Sequence, residues 1–249
     1  NWMRVGFIHG VMNTDNISIS AETFDYGPCA FINSYNPQKS YSSIDYNKRY
    51  AFANQSKILK WNISRFAESL LPIIHQNTNK SIQLAQSVID KFDEIWKHKF
   101  YNMMLDKIGI KSNNKNLFSL VDELLLIMEK MNMDFTNTFY YLLQEKNSNF
   151  SIKSNTNFIE WQKKWYKYIN KQQNIDETKN LMKENNPVYI PRNNFVDDAI
   201  KKAVSGNMTN FNKLLNLFSN PYQYQKGLDE FMQPPHQDFE DSFQTFCGT

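Results

Sequence analysis

The chain is 249 residues long, a length near the upper limit for one hydrophobic core, and we therefore expect one domain or one lobe with an appendage. Its 28 basic and 25 acidic residues leave a net charge of +3, which is too small to indicate a nucleic acid or a membrane surface as a partner. Two cysteines exclude a disulfide scaffold and a cysteine-built zinc site.

Two short segments near the start favour β-strands. Residues 5–8 are mainly apolar, and residues 17–25 begin with an alternation of isoleucine and serine. A polar loop, residues 9–16, lies between them. Residues 26–48 are rich in proline, asparagine, serine and tyrosine and predict an extended loop.

A helical period dominates the rest of the chain. Apolar faces recur at this spacing in residues 59–74, 85–103, 117–128, 135–143, 158–168, 195–203 and 211–218. We expect Asp134 to cap the fourth of these helices, and Gly109, Gly206 and Pro221 to end the second, sixth and seventh. Residues 170–186 are polar and predict a loop or a weakly packed helix. The fold class expected is mainly α with a small β element.

Residues 161–168 mix aromatic side chains with lysines, a combination that can indicate RNA binding. At helical spacing the aromatic residues fall on one face and the lysines on the other. This arrangement favours an amphipathic helix with a solvated face, so we expect no nucleic acid and no membrane partner.

The loop after the first predicted strand carries a pattern typical of a nucleotide–metal site. Protein kinases hold Mg²⁺ with a loop asparagine, seven residues after a histidine, and with the aspartate of a following Asp-Phe-Gly element. Here Asn16 follows His9 at that spacing, and Asp25 begins an Asp-Tyr-Gly sequence. A β-hairpin between Asn16 and Asp25 would bring their oxygens to one divalent ion.

One position departs from the kinase pattern. Where a kinase has its catalytic aspartate, two residues after the histidine, this chain has Val11, which cannot accept a proton. Asp15, immediately before Asn16, is the only carboxylate in the loop. The pattern is that of a kinase metal site with the base removed and another carboxylate nearby.

The segment His-Gly-Val-Met-Asn-Thr-Asp-Asn at residues 9–16, followed by Asp-Tyr-Gly-Pro at residues 25–28, closely resembles the SelO family, also called YdiU or selenoprotein O. Further matching features are residues 49–55, 134–136, 186–193, 199–200 with Gly206, 221–222 and 234–235, and a cysteine three residues from the end. The resemblance implies a kinase-like fold that transfers AMP, rather than phosphate, from ATP to Ser, Thr or Tyr hydroxyls of protein substrates.

The resemblance also implies roles for individual residues. Asp15 matches the proposed general base of the family. Asn16 and Asp25 match its Mg²⁺ ligands, with Mn²⁺ as an alternative ion, and Asp25 also lies close to the ATP phosphates. In that family ATP is flipped relative to its orientation in a kinase, so that its α-phosphate is presented for attack.

The family's N-terminal lobe, with its Gly-rich loop and phosphate-binding lysine, is not identifiable here. Residues 1–249 are therefore expected to form the kinase-like C-lobe of a SelO-type domain, with extra C-terminal helices and no activity by themselves. Two alternatives stay open, a non-catalytic pseudokinase or inert fragment, and a conventional kinase that uses Asp15. The resemblance implies a cytoplasmic location in a bacterium and a mitochondrial one in a eukaryote, and it leaves the oligomeric state undetermined.

The two cysteines form a further hypothesis. Cys29 follows the Asp-Tyr-Gly element, where a kinase has its activation loop, and Cys247 matches the position of the selenocysteine in animal SelO proteins. A disulfide between them would hold loop and tail together under oxidising conditions. The alternative is two free thiols in a reducing compartment.

Overall fold

The computed structural model describes residues 1–144, 155–172 and 174–246. The chain is mainly helical, and the described residues contain one two-stranded sheet, in which β1 pairs with β2. In chain order the elements are α1 Trp2–Val5, β1 Phe7–Ile8, β2 Ala30–Phe31, α2 Gln55–Ile74, α3 Thr78–Ile89, α4 Phe92–Lys107, α5 Phe118–Lys130, α6 Phe135–Leu143, α7 Thr156–Gln172, α8 Ile175–Asn185, α9 Asn193–Val204, α10 Thr209–Phe218 and α11 Gln237–Ser242. No helix within these ranges is both long and apolar enough to cross a membrane.

The chain divides into two compact units. The first comprises residues 1–7, 30–36 and 101–243, and the second comprises residues 8–29, 37–100 and 244–249. The first unit therefore contains most of the helices. The second contains every residue that the sequence singles out for chemistry.

Helix α7 packs against α5 in the first unit. Trp161 and Trp165 are buried, and their indole N–H groups donate to the backbone oxygens of Leu120 at 2.7 Å and Ile108 at 2.8 Å. Lys163 and Lys164 are exposed. The predicted amphipathic helix is confirmed, since the aromatic face is core and the lysine face is solvated.

A buried ion pair links distant segments of the first unit. Arg192 is 1% exposed and donates to both carboxylate oxygens of Asp134, at 2.5 and 3.1 Å. It also donates to Asn33 Oδ1 and to the backbone oxygen of Met232, each at 2.8 Å. Asp134 meanwhile caps α6 by accepting from the backbone N–H of Asn137 at 2.7 Å, which confirms the predicted cap.

Several predicted helix boundaries need correction. The single helix predicted over residues 85–103 is two helices, because the chain breaks at residues 90–91 between α3 and α4. The polar residues 170–186 contain α8, which Asn174 caps by accepting from the backbone N–H of Asp176. Gly109 and Gly206 follow their helices with φ of +73° and +89°, and α10 ends before Pro221, as predicted.

The strand predictions are right only in part. Residues Phe7–Ile8 form β1, but Val5 belongs to α1, which ends at Gly6 with φ of +77°. The strand predicted over residues 17–25 is absent, and Ile19 is 80% exposed. Ser18 and Ser20 share a hydrogen bond of 2.6 Å, and Ala21 has φ of +61°, so a turn replaces the strand. Strand β2 lies within the predicted loop 26–48.

Candidate functional site

Two loops of the second unit carry the predicted site residues. The first loop, residues 9–16, ends in a 3₁₀ turn, Thr14–Asn16. The second loop, residues 25–29, precedes β2. Both are irregular backbone, so their shape depends on specific hydrogen bonds rather than on a sheet ladder or a helix.

Asn16 is held by its own loop. Its side-chain amide donates from Nδ2 to the backbone oxygen of Val11 at 2.9 Å. Because Nδ2 is committed to Val11, the carbonyl oxygen Oδ1 is the end of the amide that remains to bind a ligand. Val11 itself is buried, so its backbone positions Asn16 while its side chain belongs to the core.

His9 anchors the start of the first loop. Its backbone N–H donates to Gln55 Oε1 at 3.1 Å, and its ring accepts at Nδ1 from the N–H of Val11 at 3.4 Å. Burial lowers the pKa of His9, and the carboxylate of Asp25 opposes that shift. The influence of Asp25 on the pKa places the His9 ring, in the first loop, close to the second loop.

Gly10 brings the two loops into direct contact. It has φ of +87°, and a Cβ at this position would lie 2.4 Å from the backbone oxygen of Pro28. No other residue fits at so close an approach to backbone. The glycine of the sequence motif is therefore a packing requirement between the two loops.

Asp25 is half-buried, and its Oδ1 accepts from the backbone N–H of Gly27 at 2.9 Å. This bond closes a local turn, the structural role that aspartate often has in Asp-X-Gly sequences. It occupies one carboxylate oxygen and leaves Oδ2 for a ligand. Asp25, like Asn16, thus fixes its orientation with one polar atom and retains the other.

The predicted hairpin between Asn16 and Asp25 is wrong, because residues 17–25 form no strand. The two loops meet where Gly10 packs against Pro28 instead. Within the described ranges, no hydrogen bond or ion pair joins Asp15, Asn16 and Asp25 to one another, and no group of three or more His, Cys, Asp or Glu residues could hold a metal. The side chain of Asp15 is exposed.

Sequence reasoning missed the residues of α2 that support the first loop. Gln55 accepts from His9, and Asn62 donates from Nδ2 to the backbone oxygen of Met12 at 2.9 Å. Both side chains are buried, and they lie two helical turns apart on one face of α2. Tyr50 adds a third support by donating to Asn13 Oδ1 at 2.7 Å. The signal in the sequence is the seven-residue spacing of these two polar side chains, with Ile58 between them on the buried side of α2.

The structure describes only one of the two cysteines of the proposed disulfide. Cys29 is a free, partly buried thiol whose pKa is raised by burial, and Cys247 lies outside the described residues. Thr245, two residues earlier, donates from Oγ1 to the backbone oxygen of Pro28 at 2.7 Å. Its backbone also pairs with the segment 41–43. Thr245 is thus bound next to Cys29.

Comparison with known proteins identifies the family to which the chain belongs. The model of the family "Protein adenylyltransferase SelO" matches residues 1–219, which is most of the chain. The chain therefore belongs to the SelO family, and the resemblance carried by the two loop motifs is confirmed.

Bacterial relatives agree with this assignment. Proteins named "Protein nucleotidyltransferase YdiU" are 47% identical in Pelagibacter ubique and 42% identical in Clostridium beijerinckii, and both match all of this chain. The matched region is 52% and 51% of the respective relatives. The chain thus spans about half the length of the curated relatives.

Proposed function

We propose that this chain supplies the metal-binding, kinase-like C-lobe of a protein adenylyltransferase, which transfers AMP from ATP to hydroxyl side chains of proteins. The observation that carries the proposal is the contact between the two loops at Gly10 and Pro28. It joins the loop bearing Asn16 to the loop bearing Asp25, and each of these side chains retains one oxygen to which no described residue donates a hydrogen bond.

These donors suit Mg²⁺, with Mn²⁺ as an alternative. Both ions favour oxygen ligands, and protein sites for Mg²⁺ commonly contribute only one or two carboxylates beside phosphate and water oxygens. Asn16 Oδ1 and Asp25 Oδ2 would be the protein ligands, and Asp25 would also lie close to the nucleotide phosphates. When bound, the ion supplies positive charge that neutralises the phosphate oxygens.

Asp15 is proposed as the general base. Its exposed carboxylate has no hydrogen-bond or ion-pair partner among the described residues, so it can reach a hydroxyl group presented by a protein substrate. The hydroxyl oxygen would form a bond to the α-phosphorus of ATP as the bond to pyrophosphate breaks. The hydroxyl proton would pass to Asp15. The buried Val11, at the position of the kinase base, cannot take that role.

Productive ATP binding is proposed to need the part of the SelO length that this chain does not span. The nucleotide must be clamped on a second side, because transfer from a phosphate depends chiefly on positioning and charge neutralisation. The candidate ligands on this chain provide only one side of such a site. Activity is therefore expected of the full-length protein and not of residues 1–249 alone.

The test is the intact mass of the full-length protein after incubation with ATP and Mg²⁺. We expect the mass of an added AMP group in the parent protein and none in the Asp25→Asn variant. Asparagine retains an oxygen for the Gly27 N–H and removes the negative charge, so this variant separates ligand chemistry from loop structure. The control is Asp197→Ala, a partly exposed aspartate of α9.

Other masses would decide against the proposal. An added phosphate group would favour a conventional kinase that uses Asp15. No adduct, together with no change in thermal stability on adding ATP, would favour a non-catalytic pseudokinase. Loss of the AMP adduct in Asp25→Asn but not in Asp15→Asn would retain the metal site and remove Asp15 as the base.

A further inference from the structure

A cluster of cationic and aromatic side chains lies beside the first loop. Lys57, Trp61 and Arg65 follow one another at four-residue intervals on α2 and therefore share one face of the helix. Arg49, from the preceding loop, stacks on the same tryptophan. We name these four residues the Arg49 patch.

Arg49 is held by aromatic rings rather than by a carboxylate. Its guanidinium carbon is 5.1 Å from the ring centroid of Trp61 and 5.9 Å from that of Tyr50. Arg65 lies 5.6 Å from the centroid of Trp61 as well. Stacking fixes the plane of a guanidinium group and leaves its edge, which carries the N–H donors, directed away from the ring.

The charge of Arg49 is not neutralised within the described part of the chain, where it makes no ion pair. The nearby carboxylate of Asp45 is committed to the backbone, since it accepts from the N–H groups of Arg49 and Tyr50 at 2.7 and 2.9 Å. Lys57 likewise has no described carboxylate partner, whereas Arg65 pairs with Glu68. The patch is therefore a preorganised group of donors with unbalanced positive charge.

Contacts link the patch to the candidate base. Tyr50, which stacks on Arg49, donates to Asn13, and Asn13 immediately precedes the 3₁₀ turn that carries Asp15. Both Arg49 and Trp61 are exposed, the latter by 40%. A ligand on the patch would thus reach the first loop from the solvent side.

We infer that the Arg49 patch binds acidic side chains of the protein substrate, close to the hydroxyl group that receives AMP. This inference rests on the proposed function. Planar guanidinium groups recognise carboxylates through paired N–H donors, and such contacts are stronger than neutral hydrogen bonds. A polypeptide suits the exposed, compact patch. A nucleic acid would need a longer basic track than these four residues provide.

The test measures binding of a fluorescein-labelled peptide of alternating glutamate and serine to the full-length protein, by fluorescence anisotropy without nucleotide. A peptide with glutamine in place of glutamate is the neutral control. We expect Arg49→Gln to weaken binding of the acidic peptide by about tenfold or more. The matched control, Lys163→Gln, removes one exposed positive charge from α7 and is expected to leave binding unchanged.

Two further variants test the geometry. Arg49→Lys keeps the charge but loses the planar group, so we expect it to restore binding only in part. Trp61→Leu removes the stacking surface and is expected to weaken binding while the thermal unfolding temperature stays within a few degrees of the parent value. Full restoration by lysine would overturn the role of the stacked guanidinium.

Other results would overturn the inference as a whole. The first is that the neutral peptide binds as tightly as the acidic one, and the second is that Arg49→Gln and Lys163→Gln weaken binding equally. The third is that a single-stranded oligonucleotide displaces the peptide, in an Arg49-dependent way, at a lower concentration than unlabelled acidic peptide does. Because no nucleotide is present, failure of peptide binding is independent of the AMP adduct. A protein that forms the adduct but ignores the acidic peptide would retain the proposed function and lose this inference.

Discussion

The hydrogen bonds around Arg192 and those around Asn16 serve opposite purposes. In the first unit, Arg192 and Asp134 place opposite charges together in a nearly closed environment, and Asn33 and Met232 accept further bonds from the arginine. In the second unit, Asn16 and Asp25 each use one polar atom to fix a loop and retain another. The first network uses its polar groups to join chain segments, whereas the second, under the proposed function, holds polar groups in place for a metal ion.

The segments that match the SelO family are therefore of two kinds, those whose polar groups are paired inside the protein and those whose polar atoms remain available. The segments 134–136 and 186–193 also resemble SelO, yet their charged residues form the buried pair. A matching motif therefore indicates chemistry only where its polar atoms remain available. The following variants test that distinction, from the largest expected effect to the smallest.

Replacing Asp134 should cost the most stability. Asp134→Ala leaves the Arg192 charge buried without a counter-charge and removes the cap of α6, so we expect a loss of about 3–5 kcal/mol in the free energy of unfolding. Urea denaturation measures it. Asp197→Ala breaks an exposed pair with Lys201 and should cost under about 1 kcal/mol. Equal losses in the two variants would contradict the structural role of the buried pair.

Gly10→Ala should show how tightly the two loops are packed. The positive φ alone costs about 1–3 kcal/mol for a residue with a Cβ, and contact with Pro28 adds to that cost. Gly206→Ala is the matched control, because Gly206 has a similar φ of +89° but nothing within 4 Å of the added Cβ. The difference between the urea denaturation midpoints of the two variants measures the destabilisation caused by the contact with Pro28. No difference would contradict the close approach of the loops.

Oxidation should join the tail to the second loop if the cysteine hypothesis is right. Thr245 is bound to Pro28, the residue before Cys29, and two residues of extended chain can span about 7 Å. We expect peptide mapping of the oxidised full-length protein to yield a Cys29–Cys247 disulfide. The Cys29→Ser variant should lack it. Recovery of both cysteines only as free thiols after oxidation would contradict the hypothesis.

The smallest effect is a pH dependence that arises from His9. Burial holds its pKa below the ordinary value of 6.5, so the unfolded chain binds a proton more readily than the folded chain does. This contribution to stability is complete above pH 6.5 and is lost as the pH falls through the lowered pKa. Denaturation between pH 7 and 5 should therefore show a smaller decline in His9→Asn than in the parent. Identical declines would contradict a buried, neutral His9.

The sequence predicted the helices better than the site geometry. Helical periodicity located α5, α7, α9 and α10, and Asp134 was recognised as a cap, because these features depend on neighbouring residues along the chain. The division between α3 and α4 was missed, since the apolar period continues across residues 90–91.

The site residues were identified by motif, but their arrangement was not. Ile17 and Ile19 resemble a strand by alternation, whereas local serine hydrogen bonds and the positive φ of Ala21 produce a turn. The contacts of Gly10 with Pro28 and of His9 with Gln55 join residues far apart in the sequence. Such contacts depend on tertiary packing, which the spacing of apolar residues along the sequence does not reveal.

Binding of Mn²⁺ to the full-length protein in the presence of ATP, followed by electron paramagnetic resonance, tests whether Asn16 and Asp25 present their retained oxygens to one ion. Asn16→Ala and Asp25→Asn should each weaken binding about tenfold or more. Asn170→Ala, an exposed asparagine of α7, should bind Mn²⁺ as the parent protein does. Parent-like binding in both site variants would contradict a metal site formed by the two loops.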